Sequence, residues 1–321
     1  QGIYSNQNLK GVLHQTIGPY SSQDIEIVAA FDIDKRKVGK DVSQAIFEKP
    51  NNTLVFNQNV PFLEVPVKRG PTMDGFAEHM NEYSEDVRFI ESDEKSVDIV
   101  KVLKETKPDM LINYLPVGSE EAAKFYANCC LEANVSFVNS MPVFISSTQE
   151  YIDKFSEKNL ICVGDDIKAQ FGATIIHRIL MNLMKERGVT IKRTYQLNTG
   201  GNTDFLNMLE RKRLDLKKIS KTSSVQSQLD VPLDEAEIHI GPSDYVPWQK
   251  DNKVCFLRIE GELFGGAQVD FEARLSVEDS PNSAGVMIDV IRSVKLALDK
   301  NHSGYLGEVS SYAFKHPKNQ K

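Results

Sequence analysis

Along the first half of the chain, short β-branched apolar runs alternate with longer stretches whose apolar residues return every three to four positions. Ile25 to Phe31, Asp109 to Tyr114, Val135 to Val138 and Asn159 to Gly164 have the pattern of short strands. Asp41 to Phe47, Val97 to Lys107, Glu120 to Glu132 and Ala173 to Arg187 have the period of helices with one apolar face. This alternation predicts a parallel sheet with right-handed crossovers, the doubly wound plan of dinucleotide-binding folds. From Thr190 the pattern changes. Thr194 to Leu197, Val254 to Glu260 and Val269 to Val277 alternate apolar and polar residues like half-buried antiparallel strands, and Ala284 to Leu298 predicts a helix returning to the first unit. Thr222 to Asp230 is polar and predicts a mobile loop.

The chain has 321 residues, which suits about two domains, and its 40% hydrophobic and 26% charged content is that of a globular protein. With 45 acidic against 38 basic residues the formal net charge is -7, which argues against nucleic acid or an anionic membrane as the main partner. No apolar run approaches the ~18 residues of a membrane span, and the first residues show no charged-then-apolar signal pattern. Cys129, Cys130, Cys162 and Cys255 show no CxxC spacing, which suits buried thiols in a reducing, cytoplasmic setting. The histidines show no HxH or HExxH spacing for a dedicated zinc site.

Against the acidic balance stands one local basic cluster: Arg211, Lys212, Arg213, Lys217, Lys218 and Lys221 face only Glu210 and Asp215. On a helix Lys217 and Lys221 stand one turn apart, where like charges repel by about 0.2–0.5 kcal/mol. A solvated basic face is one reading. The polar loop Asn198-Thr199-Gly200-Gly201-Asn202 just upstream favours another, a site for a small anion approached by backbone amides. Asn202 or Thr203 also suits the cap of a helix starting near Asp204. Asp32 ends the first predicted strand, where this fold places an acid on the ribose hydroxyls of NAD; the plain alternative is an exposed loop residue, and Lys35 and Arg36 leave NADP open. The turns Asn113 to Ser119 and Phe137 to Pro142 leave predicted strands at their carboxyl ends, where ligands of open α/β sheets lie; Pro116, Gly118 and Pro142 equally suit tight turns. In Gly164-Asp165-Asp166-Ile167-Lys168, loop solvation is the simplest way to hold two adjacent carboxylates.

Five stretches occur in one family's order: Val163 to Thr174, Asn198 to Phe205, Lys217 to Lys221, His239 to Trp248 and Glu278 to Ala284. Together they make the chain resemble myo-inositol-phosphate synthase in its shorter actinobacterial and archaeal form. The family begins with a strand and a G-x-G-x-x-G turn, whereas this chain opens at Gln1-Gly2-Ile3-Tyr4, which looks like the middle of the first helix. The resemblance implies a Rossmann-type NAD-binding domain over 1–192, completed by 280–321, and an inserted α+β catalytic and tetramerisation domain over 193–279. It implies conversion of D-glucose 6-phosphate to an inositol monophosphate with retained NAD, a homotetramer, and in some members a divalent cation, here bridging phosphate to Asp279 or Asp204.

By residue match, Lys217 and Lys315 handle the oxygen that is oxidised and later reduced, while Lys221 and Lys253 hold the aldehyde oxygen or the phosphate. Asp166 lies near nicotinamide and substrate, and Asp204 belongs with the catalytic groups. Asn198, Asn202 and Asp279 read sugar hydroxyls, with Lys168 and Thr174 in the turn that meets the phosphate. Asp32, Asn113, Leu115, Pro116, Gly118, Asn139, Asp165 and Asp279 border the cofactor. The competing expectations are a two-domain NAD(P)-dependent dehydrogenase of the homoserine-dehydrogenase type and a non-catalytic phosphosugar-binding scaffold.

Overall fold

Strands that are apolar throughout need cover on both faces. The computed structural model describes residues 10–319, so the segment at Gln1 to Tyr4 lies outside the described residues. In chain order the elements are β1 (Thr16–Ile17), β2 (Tyr20–Ser21), β3 (Ala30–Asp32), α1 (Val42–Ala45), β4 (Val67–Arg69), α2 (Ile99–Thr106), β5 (Met110–Asn113), α3 (Glu120–Ala133), β6 (Ser136–Asn139), α4 (Gln149–Glu157) and β7 (Ile161–Val163). There follow α5 (Ala173–Glu186), β8 (Thr190–Gly200), α6 (Thr203–Asn207), α7 (Asp215–Gln226), β9 (Ile238–Tyr245), β10 (Asn252–Glu262), β11 (Gln268–Glu278), α8 (Asp279–Asp299), β12 (Gly304–Tyr305) and α9 (Gly307–Ala313).

Strands β12, β7, β6 and β5 lie side by side in that order, all parallel. Alternate residues serve opposite layers. Phe137 and Cys162 pack with Leu103 of α2, Ala127 of α3 and Phe155 of α4. Val138, Ile161 and Val163 meet Val286, Val290 and Val294 of α8 and Phe314 after α9. Each fully buried side chain of this size contributes roughly 1.5–3 kcal/mol. Helix α8 is thus the third layer of the parallel sheet, and it starts at Asp279, five residues before the predicted Ala284. The expected strand Ile25 to Phe31 contracts to β3, because only Ala30 to Asp32 find a ladder partner, in β4.

The second sheet runs β11-β10-β8-β9. As expected, β8, β10 and β11 are antiparallel neighbours. Strand β9 was not expected, and it lies parallel to β8. Its inward Ile238 and Ile240 join Cys255, Leu257 and Ile259 of β10 under Met181 of α5 and Val225 of α7. Val225 also explains why the predicted loop at Thr222 is helix as far as Gln226. Burial of that residue and of Ser224 fixes the turn, and Ser223 returns its hydroxyl to the Ser220 carbonyl at 3.0 Å.

Candidate active site

A cavity of about 1040 Å³ opens at the carboxyl ends of β3, β5 and β6 and runs to the wall formed by Cys255 of β10 and Val277 of β11. This is where ligands of open α/β sheets lie. Four lysines from distant parts of the chain, Lys217, Lys221, Lys253 and Lys315, border it together with Asp166, Asp204 and Asp279. Three of the lysines are paired. Lys315 Nζ lies 2.7 Å from Asp166, Lys217 Nζ 3.0 Å from Asp204, and Lys253 Nζ 3.0 Å from Asp279. Among the described residues no carboxylate pairs with Lys221, so four lysines meet three carboxylates.

Sequence-local structure sets these positions. Lys217 and Lys221 stand one turn apart on α7, as the spacing required. Asn202 caps α6 by accepting the Phe205 amide at 3.1 Å, which directs Asp204 to the lysine on α7. Asp251 accepts from Asn202 at 3.1 Å and from the Ser280 amide at 3.1 Å, while its carbonyl accepts the Asp279 amide at 3.0 Å. One buried carboxylate therefore joins the starts of α6, β10 and α8. Lys315, which by sequence alone belongs to an ordinary tail, is drawn in because its amide donates to the Asp166 carbonyl at 2.7 Å.

Burial and pairing shift these groups in different directions. Burial pushes Lys315 down against the pull of Asp166. Burial, then the charges of Lys217, Lys253 and Lys315, hold Lys221 well below the ordinary lysine value. Lys253 goes up: burial opposes its charge, but Asp279 outweighs it. Burial likewise opposes ionisation of Asp166 and Asp279, yet the neighbouring lysines hold both below the usual carboxylate range.

Several sequence expectations need correction. Asp165 and Asp166 are not solvated; both are buried. Asp165 lies outside the cavity lining, where Asn139 Nδ2 donates to it at 2.7 Å, the amides of Ile145 and Ser146 at 3.0 Å and the Ser147 hydroxyl at 2.8 Å. Even so, burial pushes Asp165 up to about 6. Asn139 serves that carboxylate and Asn113, outside the cavity lining. Lys168 turns away from the cavity and donates to the Ser311 carbonyl at 2.5 Å, with burial lowering it to about 7. Asn198 is fully buried behind the cavity wall, donating to the Gly241 carbonyl at 2.8 Å. Gly118 faces Arg213 with φ +87°, so its role is close packing.

At Gly201 the loop is packed against backbone and its amide is not open to an anion. The Gly201 amide is spent on the Lys250 carbonyl at 2.9 Å, and a Cβ there would meet the Val246 carbonyl at 2.4 Å. The basic cluster divides: Arg211, Lys212 and Lys218 form the solvated face, Arg213 grips the Val117 and Asp74 carbonyls, and Lys217 and Lys221 enter the cavity. Asp32, Asn113, Leu115, Pro116, Asn202 and Thr174 do line the cavity.

Similarity to known proteins bears on this constellation. The myo-inositol-1-phosphate synthase profile matches residues 172–280. The inositol-3-phosphate synthase of Mycolicibacterium smegmatis is 49% identical, the match covering 98% of this chain and 86% of the relative. This chain belongs to the inositol-3-phosphate synthase family. The inositol-3-phosphate synthase of Corynebacterium glutamicum is 47% identical over 98% of the chain and 86% of its own length. A myo-inositol-1-phosphate synthase-related protein from Thermotoga maritima superposes with TM-score 0.78 at 23% identity, covering 97% of this chain and 87% of that one, which supports the Rossmann-like α/β fold.

The residues of this family member suit a dinucleotide at one end of the cavity. Asp32 Oδ1 accepts the amides of Ile33 and Asp34 at 2.7 and 2.9 Å, while Oδ2 meets Lys37 at 3.2 Å beside the cavity. Arg36 is withdrawn onto buried Asp34 at 2.5 Å and is not free to take a 2′-phosphate. Leu115, Pro116, Met141 and Met287 give an apolar wall. No three His, Cys, Asp or Glu side chains converge as a metal site among the described residues, and Asp204 and Asp279 are each already held by a lysine. Among the described residues no helix is long and apolar enough to cross a membrane.

The sequence reading missed Asp251, whose adjacency to Lys253 was the available signal, and Ser220, which donates to Asp166 Oδ2 at 2.7 Å. Ser220 stands immediately before Lys221, on a turn already marked as functional.

Proposed function

We propose that this chain converts D-glucose 6-phosphate to 1D-myo-inositol 3-phosphate, the same compound as 1L-myo-inositol 1-phosphate. The steps are oxidation, enolisation, intramolecular aldol closure and reduction, with no net redox change. The observation that carries the reading is the convergence of four lysines and three aspartates on one cavity, three of the lysines paired and Lys221 without a paired carboxylate among the described residues. NAD, when bound, supplies the hydride acceptor of the first step and the donor of the last. Asp32, Asn113, Leu115 and Pro116 hold it in this reading.

Lys315 in its neutral amine form takes the proton of the hydroxyl that is oxidised and, as the ammonium beside Asp166, returns it on reduction, while Lys217, held by Asp204, stabilises charge on that oxygen. The lowered pKa of Lys315 suits that exchange. Lys253, kept charged by Asp279, stabilises oxyanion character at the aldehyde oxygen through enolisation and ring closure. Lys221 meets the phosphate, whose negative charge restores the ammonium form that burial disfavours. Asn202, Asp279 and Thr174 read hydroxyl and phosphate oxygens from the cavity wall.

The proposal includes the domain division at residues 193 and 279. It also includes a homotetramer, for which exposed Phe256 and Phe271 on β10 and β11 provide apolar surface. The test is incubation with glucose 6-phosphate and NAD, followed by phosphorus NMR of the product and absorbance of NADH. Inositol monophosphate without accumulating NADH is the expected result. Net NADH would indicate an ordinary dehydrogenase, and binding without a new phosphate signal a non-catalytic phosphosugar protein.

A further inference from the structure

Asn207 closes α6 with no solvent-exposed surface and is one of the residues that line the cavity. Its Nδ2 donates to the Val117 carbonyl at 2.9 Å. The Arg213 Nε donates to the same oxygen at 3.0 Å. This settles the orientation of the amide, since a flipped Asn207 would set Oδ1 against a carbonyl oxygen. With Nδ2 so engaged, Oδ1 is buried and has no hydrogen-bond partner among the described residues.

One turn earlier on α6, Asp204 repeats the condition: Oδ2 holds Lys217 at 3.0 Å, whereas Oδ1 is buried and unpartnered. Residues three apart lie on one face of a helix, so α6 carries two acceptors without donors on residues that line the cavity. Buried acceptors are nearly always satisfied in a folded protein, and these two border the space a ligand fills. Support of the Val117 carbonyl does not account for Asn207, because Arg213 already supplies a donor there.

We propose that Asn207 is a further ligand-reading residue of this site, its Oδ1 accepting a hydrogen bond from a neutral N–H or O–H donor on the bound cofactor or sugar. The inference rests on the proposed NAD and glucose 6-phosphate chemistry. Two groups carry such donors, the carboxamide of the nicotinamide and the hydroxyls of the sugar, and the test separates them.

Calorimetry with NAD, and with glucose 6-phosphate in the presence of NAD, is run on wild type, Asn207→Leu and Arg213→Met. Asn207→Leu removes the acceptor, whereas Arg213→Met keeps it and removes the second donor to Val117 together with the donor to the Asp74 carbonyl. Loss of one neutral hydrogen bond should weaken a single ligand about tenfold in Asn207→Leu and leave Arg213→Met within about twofold of wild type. If the donor is the carboxamide, NAD weakens, while the 3-acetylpyridine analogue, which lacks that N–H, binds both proteins alike. If it is a hydroxyl, glucose 6-phosphate weakens and one monodeoxy analogue shows no further loss.

Unchanged binding of both ligands by Asn207→Leu, or the same loss in Arg213→Met, overturns the proposal. Should Asn207→Leu not fold, wild type alone decides: equal affinity for NAD and its acetylpyridine analogue, and for glucose 6-phosphate and every monodeoxy analogue, also overturns it. A wild-type protein that binds these ligands without making inositol phosphate would defeat the proposed function and leave the binding comparison readable.

Discussion

Replacing Lys221 by methionine should make the ligand-free protein more stable and the enzyme much poorer at capturing its substrate. Lys221 is 5% exposed, faces the charges of Lys217, Lys253 and Lys315, and has no carboxylate paired with it among the described residues. Exchanging buried charges for apolar groups of similar volume commonly stabilises by about 1–4 kcal/mol. At about 2.1 cal/mol/K per residue, 321 residues give an unfolding entropy near 0.67 kcal/mol/K, so Tm should rise by about 1.5–6 °C. The gain depends on pH. A lysine whose folded pKa lies below its unfolded value costs nothing above the ordinary value of 10.5, and the cost grows as pH falls toward the depressed value. The Tm difference should therefore be large at neutral pH and vanish near pH 10.5. Substrate should reverse the order, since saturation at a hundredfold over Kd stabilises wild type by about 2.7 kcal/mol and the variant by much less. The kcat/KM should fall by roughly 10- to 150-fold, the equivalent of about 1.5–3 kcal/mol for a charged contact to the phosphate. Thermal melts from pH 7 to 10.5, with and without glucose 6-phosphate, together with product assays, check this. A variant less stable than wild type without ligand, or one with wild-type kcat/KM, would refute the reasoning.

Lys217→Ala should abolish turnover with NAD affinity nearly unchanged in calorimetry; retained turnover removes Lys217 from its role at the oxidised oxygen. Asp32→Ala should weaken NAD by roughly 10- to 150-fold, the equivalent of about 1.5–3 kcal/mol for hydrogen bonds to a charged group, and an unchanged Kd refutes the ribose contact. Asp165→Asn should leave NAD affinity unchanged but lower Tm, because it disrupts donors satisfied by one carboxylate, each costing about 1–3 kcal/mol when left unpaired. A weakened NAD complex at unchanged Tm would return Asp165 to the cofactor site.

Local pattern fixed the elements whose partners are near in the chain or whose periodicity is strong. The parallel strands β5, β6 and β7, the helices α2, α3 and α5, and the one-turn spacing of Lys217 and Lys221 were all legible, because side-chain period and helix geometry are properties of the chain itself. The cap at Asn202 was legible for the same reason. Long-range packing decided the rest. Strand β9 was not recognised because Gly241 and Pro242 interrupt its pattern with residues that disfavour a strand. Thr222 to Gln226 became helix because Val225 had a core to enter.

At the site, the sequence determined which charges this protein carries and, by resemblance, which family it serves. It did not determine where Asp165, Asn139, Lys168 and Asn198 would end, for each is a polar residue beside matched functional positions, and only folding showed them behind the cavity wall. The pairing of three lysines with three aspartates, the lack of a paired carboxylate at Lys221 among the described residues and the open acceptor on Asn207 were decided by tertiary structure alone. The physical reason is that a charge's environment depends on burial and on neighbours brought from distant segments, and residue order specifies neither until the sheets and helices have packed.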